Sequence, residues 1–151
     1  MQKIIVIIPT YNEAQNIAPI IARVHEFEPN ARVLIVDDNS PDGTANIARN
    51  LMKKDSLLSL LSREKKEGLG KAYLHAFSQV LADKNVEWVQ IMDADFSHDP
   101  KYFPTISTLA QTSDVVIGSR HIPDGGMVGL VLWRRFLSRF ANYYCRIITG
   151  M

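Results

Sequence analysis

Asp93 and Asp95 are the residues whose type and spacing most directly suggest chemistry. On an extended chain, residues i and i+2 send their side chains to the same face. Two carboxylates held close repel each other unless a cation compensates them. A hard dication such as Mg²⁺ or Mn²⁺ would do so, and would bridge to the oxygens of a diphosphate. The alternative is a capping carboxylate beside a solvated one. The apolar run before the pair, and the acids closing other apolar runs, weigh against it.

A second acidic pair, Asp37-Asp38, closes another apolar run. A carboxylate at Asp38 can accept hydrogen bonds from a base or a ribose. The Asn39-Ser40-Pro41-Asp42-Gly43-Thr44 stretch reads as a turn into a helix, with Asp42 or Thr44 as cap and Gly43 as turn residue. Pro9-Thr10-Tyr11-Asn12-Glu13 supplies a ring at Tyr11 that can cover a base, and an acceptor at Glu13. A capping Asn12 and a first-turn acid at Glu13 account for the last two equally well. Arg120 offers a fork for bidentate pairing with phosphate, with a plain surface arginine as the alternative. His98 and His121 are weaker candidates as ligands. Gly68-Leu69-Gly70-Lys71 is not a P-loop, because Ala72 stands where Ser or Thr is required. It reads as a helix entry.

The scaffold that must position these residues is legible as alternating segments. Strands are expected over 3–8, 32–36, 57–61, 86–92 and 114–118, with Pro9 ending the first. Helices are expected over 13–27, from Asp42 or Thr44 to Lys54, over 68–82, and over 100–111. Asn12 would cap the first helix, and Ile17, Ile20, Ile21 and Val24 would form its apolar face. Alternation of this kind predicts an α/β fold, a mainly parallel sheet with helices on both faces. Ligands then sit beyond the carboxyl ends of the strands. The polar residues singled out above do collect after the first, second, fourth and fifth expected strands.

The 151 residues suffice for one domain with a sizeable core, at 46% hydrophobic and 22% charged residues. A net charge of +1 gives no basis for nucleic-acid binding. The single cysteine, Cys145, cannot form an internal disulfide, which fits a reducing, cytosol-facing setting. No signal peptide or apolar run long enough to span a membrane is present in the sequence. From Gly125 to Met151 there is no acid, while Arg134, Arg135, Arg139 and Arg146 interleave with Trp133, Phe136, Phe140, Tyr143 and Tyr144. That pattern suits an amphipathic helix at an anionic lipid surface, or equally one packing on a further part of the protein. The organisation expected is a core over 1–121 followed by an acceptor- or membrane-facing segment over 122–151. The abrupt end at Thr149-Gly150-Met151 suggests a piece of a longer protein.

The segments Ile8 to Glu13, Val36 to Thr44, and Met92 to Pro100 together resemble the family 2 glycosyltransferases with the GT-A (Rossmann-like) fold. Among these the likeness is nearest to the dolichol-phosphate (polyprenol-phosphate) mannose synthases. Gly118-Ser119-Arg120 and the Gly125-Gly126 segment leading to Arg134-Arg135 extend it over essentially the whole chain. The resemblance implies that Pro9, Tyr11, Glu13, Val36 and Asp38 line a nucleoside pocket. It implies that Asp93, Ala94 and Asp95 bind diphosphate and Mg²⁺ or Mn²⁺, and that Arg120 contacts a phosphate of donor or acceptor. Asp95 and Arg120 would be the catalytic pair. Some relatives carry Gln at the position of Ser97, where it helps hold the metal, and the shorter Ser97 is the counterpart here. Further basic residues that grip the phosphates would lie beyond Met151.

The reaction so implied is transfer of a sugar, mannose from GDP-mannose first, to a polyprenol or dolichol phosphate with inversion. Its setting would be the cytosolic face of a membrane, with the protein bound peripherally. Other donors such as UDP-glucose, or a polysaccharide acceptor, are the neighbouring alternative. A two-component receiver domain is the remote one. It is opposed by the 56-residue interval from Asp37 to Asp93, longer than the roughly 40–45 residues of two strand–helix units.

Overall fold

The computed structural model describes residues 4–119 and 132–150. These fall into two units, one ending at Val116 and the other beginning at Ile117.

In the first unit the strands are β1 (Ile4–Thr10), β2 (Arg32–Asp37), β3 (Leu58–Ser62) and β4 (Trp88–Ile91). Among the described residues they form one sheet in the order β3-β2-β1-β4. Every pairing is parallel. Parallel neighbours need long crossovers, and these carry α1 (Ile17–Phe27), α2 (Thr44–Met52) and α3 (Leu69–Val80). After β4 come a 3-10 turn (Pro100–Tyr102) and α4 (Phe103–Ala110).

The two-residue period of the strands sorts the core into two layers. Ile4, Val6 and Ile8 of β1, with Val33 and Ile35 of β2, pack with Ile17, Ile20, Ile21 and Val24 of α1, Ala48 of α2 and Phe103 of α4. Ile5 and Ile7, with Leu34 and Val36, pack with Ala72, Ala76 and Val80 of α3. The register Val6↔Val33 and Ile7↔Leu34 keeps each layer on one side. A slip of one residue would turn both sets outward. Each fully buried Val or Ile contributes roughly 1.5–3 kcal/mol, so this register is strongly specified.

Several expectations shift. β1 does not stop at Pro9 but runs to Thr10. The Ile7 carbonyl accepts from Met92 on the β4 side, whereas the Thr10 carbonyl accepts from Asp38 on the β2 side. Alternation directs Pro9 toward β4, which has already ended, so no ladder donor is missed. The first helix begins at Ile17 rather than Glu13. Asn12 is not its cap; it has a left-handed φ of 62°. Residues 12–14 donate their N–H groups to side chains of the next loop instead. Asp114–Gly118 forms no strand. Val115 and Ile117 are exposed there, because β-branched residues favour a strand only where a ladder and a covering layer receive them.

The second unit contains α5 (Leu132–Thr149). Trp133, Phe136, Leu137, Phe140, Tyr144, Ile147 and Ile148 are exposed on it and recur at helical spacing. No helix of the described residues is long and apolar enough to cross a membrane.

Candidate active site at the carboxyl edge of the sheet

The loops after β1, β2 and β4 leave the same edge of the sheet, since all four strands run in one direction. The first two loops are stitched together. The Asn12 N–H donates to Ser40 Oγ at 3.0 Å, the Glu13 N–H to Thr44 Oγ1 at 3.0 Å, and the Ala14 N–H to Asp42 Oδ2 at 2.9 Å. Asp42 Oδ1 also accepts from the Thr44 N–H and hydroxyl, as a cap would. Gly43 takes φ 90°, which side chains other than glycine's rarely adopt. Asp42, Gly43 and Thr44 therefore start α2 and also shape the β1 loop, a task the local motif does not reveal. Partial desolvation pushes the Asp42 carboxyl up, but hydrogen bonds from Thr44 and Ala14 outweigh it and hold the group below the usual carboxylate range.

The adjacent acids Asp37 and Asp38 have different surroundings. Asp37 is 1% exposed. Its carboxylate accepts from Thr10 Oγ1 (3.0 Å), the Ser40 N–H (2.9 Å) and Ser40 Oγ (2.6 Å). Those donors are the last residue of β1 and a residue of the loop after β2, so Asp37 is a structural knot. Asp38 Oδ1 accepts from Arg63, whose other terminal nitrogen donates to Glu67 Oε2 at 3.0 Å. Lys71 donates to Glu67 Oε1 at 3.0 Å. The sequence reading missed Arg63. Its signal was a basic residue directly after β3, at the same sheet edge as the other motifs.

Pro9, Thr10, Tyr11 and Asp38 line one cleft of about 130 Å³ with Lys66, Gly68, Leu69 and Ala72. Lys66 Nζ stands 3.7 Å from the centroid of the Tyr11 ring. Glu13 and Val36 do not line this cleft. Glu13 Oε2 accepts from Asn16 at 2.7 Å, and Val36 is buried under α3. A second, polar hollow of about 280 Å³ lies beside Asp37, Asn39, Arg49 and Arg63.

After β4, Met92 and Ala94 are buried, and Asp93 and Asp95 flank Ala94. Phe96 turns the chain with φ 62°. The Ser97 N–H donates to Asp95 Oδ1 at 2.9 Å. Ser97, through its side chain first and its backbone second, holds the Asp95 carboxyl below the usual range. The Asp93 N–H donates to His98 Nδ1 at 3.2 Å. His98 thus closes the turn, with Nε2 carrying its proton when neutral. Tyr73 of α3 has its hydroxyl pushed up, by burial first and by the charge of Asp93 second. Among the described residues no three His, Cys, Asp or Glu side chains gather as a complete metal cage. The pair of carboxylates nevertheless suits Mg²⁺ or Mn²⁺, which take one or two carboxylates and fill the remaining positions with phosphate oxygens and water. Asp95 is exposed, and its Oδ1 accepts from the Ser97 N–H. Arg120 and His121 lie outside the described residues.

The profile of glycosyl transferase family 2 matches residues 5–147. The chain belongs to this family. Its α/β sheet is accordingly of the GT-A type. It is 38% identical over 149 residues to an undecaprenyl-phosphate mannosyltransferase of Micrococcus luteus, covering 99% of this chain and 61% of that protein. It is 42% identical over 153 residues to a polyprenol monophosphomannose synthase of Mycolicibacterium smegmatis, covering 99% and 57%. The chain thus spans about three fifths of the length of these curated relatives. Among solved structures it resembles a mannosyltransferase from Pyrobaculum calidifontis in complex with GDP-Man and Mn²⁺. That match has a TM-score of 0.52 and 32% identity, and covers 62% of this chain and 27% of the other.

Proposed function

We propose that this chain is the donor-binding part of an inverting glycosyltransferase that moves mannose from GDP-mannose to a polyprenol phosphate. The observation carrying the reading is the convergence of Tyr11, Asp38 and the Asp93–Asp95 pair on one sheet edge, in a family 2 chain akin to lipid-phosphate mannosyltransferases. Pro9, Tyr11 and Asp38 would hold the nucleoside, with Glu13 and Val36 shaping the surrounding wall. Asp93 and Asp95 would hold a divalent ion, Mn²⁺ or Mg²⁺, with Ser97 fixing the Asp95 carboxylate in place through its N–H. That ion supplies charge neutralisation on the departing diphosphate.

The chemistry asked of the chain's own side chains is then modest. The acceptor is a phosphate oxygen, already ionised at neutral pH, so a strong general base is not needed. The protein must bring two anionic substrates together and align them for in-line displacement at the anomeric carbon. We assign Arg120 to the phosphates in this step. The exposed aromatic and aliphatic face of α5, flanked by Arg139 and Arg146, supports a peripheral seat on an anionic membrane surface where the lipid acceptor resides.

A thermal-shift panel of GDP-mannose, UDP-glucose and their diphosphates, with and without Mn²⁺, tests the reading. Metal-dependent stabilisation by GDP-mannose above the others is the expected result. No response to any nucleotide sugar in the presence of Mn²⁺ would overturn it.

A further inference from the structure

The two acids after β4 are not held alike. Asp95 Oδ1 accepts from the Ser97 N–H at 2.9 Å. Among the described residues the Asp93 carboxylate accepts no hydrogen bond, and only its backbone N–H is engaged, by His98 Nδ1 at 3.2 Å. Met92 and Ala94 are both buried in the layer that contains α1 and Phe103 of α4. Asp93 lies between them, so alternation directs its side chain to the opposite face of the sheet. That is the face covered by α3, where Val89 of β4 already packs.

Tyr73 of α3 stands on the same face. Its ring packs against the layer of Ile5, Ile7 and Val36 and stacks on Phe77, with centroids 6.2 Å apart. Among the described residues its hydroxyl makes no hydrogen bond. Burial first, and the charge of Asp93 second, hold the phenol above its usual range. It therefore stays protonated and can donate. A half-buried hydroxyl without an acceptor thus neighbours a carboxylate without a donor. Carboxylates that bind metal ions are themselves hydrogen-bonded as a rule, and those partners set the orientation of the ligand. Ser97 does this for Asp95. We infer that Tyr73 is the corresponding positioning residue for Asp93, its hydroxyl donating to one carboxylate oxygen and leaving the other for the divalent ion. This rests on the metal-binding reading of the Asp93–Asp95 pair and extends it to a residue of α3 outside the strand-end motifs.

The test is calorimetric titration of Mn²⁺ into the GDP-saturated chain, and of GDP without metal, for the unaltered protein, Tyr73→Phe, Asp93→Asn and the double variant. Phenylalanine keeps the ring against Phe77 and the core layer. Tyr73→Phe should weaken Mn²⁺ binding by about 10–100-fold and leave metal-free GDP binding unchanged. The electron paramagnetic resonance of the bound Mn²⁺, which reports the symmetry of its ligands, should change with it. In the Asp93→Asn background the same change should add little, since the hydroxyl acts through that carboxylate. A full additional loss there would overturn the inference. Weaker metal-free GDP binding in Tyr73→Phe would place the hydroxyl on the nucleotide and overturn it too. Unchanged Mn²⁺ affinity in Tyr73→Phe, beside a loss in Asp93→Asn, would overturn it while leaving the metal site standing. Unchanged Mn²⁺ affinity in both single variants would overturn the metal-binding reading as well.

Discussion

The guanidinium of Arg63 donates to Oδ1 of Asp38 across 25 residues of sequence, and both side chains are nearly excluded from solvent, at 5% and 9% exposure. A buried ion pair of this kind adds little net stability over a hydrophobic pair of the same volume, but removing one partner strands the other. Arg63→Met and Asp38→Ala are each expected to lose about 3–5 kcal/mol in urea denaturation. The double variant should lose less than the sum of the two. Additive losses would show that the pair is not coupled.

Asp95→Ala should leave the urea midpoint almost unchanged, since the side chain is exposed and holds only the local turn. Mn²⁺-dependent binding of GDP-mannose should be abolished in the same protein. Undiminished affinity by calorimetry would remove Asp95 from the site.

The Asp42 clamp should be sensitive to acid. Its carboxyl titrates below its ordinary value of 3.8 in the fold, so the unfolded chain binds the proton more readily. The stabilisation is therefore complete above that ordinary value and fades as pH falls through the lower folded one. Asp42→Ala should cost about 1 kcal/mol at pH 7, the usual worth of a helix cap. The difference between variant and unaltered chain should shrink below about pH 4. A difference that is flat with pH would separate the clamp from ionisation.

Gly43→Ala isolates backbone conformation from packing. Its φ is +90°, and a Cβ there would meet nothing within 4 Å. The expected loss is about 1–2 kcal/mol, from the left-handed conformation alone. Donor affinity should fall with it, because Gly43 precedes the Thr44 hydroxyl that holds the Glu13 N–H. A neutral effect in denaturant would refute the requirement for glycine.

Replacing Phe136 and Phe140 of α5 with Glu should abolish sedimentation with anionic vesicles and spare donor binding. Arg139→Ala with Arg146→Ala should weaken vesicle binding by about 2 kcal/mol, or ~30-fold, at low salt. Vesicle binding that ignores both lipid charge and these changes would count against the lipid-facing assignment.

Local pattern carried much of this. The 2-residue period of β1 and β2 and the 3.6-residue period of Ile17, Ile20, Ile21 and Val24 are visible in the chain, because burial writes itself into residue type wherever one face meets the core. The strand-end acids were visible for a related reason: carboxylates closing apolar strands are costly without a partner.

Pairing over distance was not visible. Asp37 and Asp38 are neighbours of the same type, yet one is consumed by Thr10 and Ser40 and the other is held by Arg63. Val115 and Ile117 look like strand residues but join no ladder. Asn12 looks like a cap but has its N–H taken by Ser40. From its sequence alone this protein is a parallel α/β domain with acids at the strand ends, because side-chain periodicity and burial are local constraints. Which carboxylate stays available, where Lys66 rests, and where α1 begins were decided in three dimensions. Hydrogen-bond partners in a parallel sheet are brought together by crossovers of 25 residues or more, and no local pattern encodes a contact of that range.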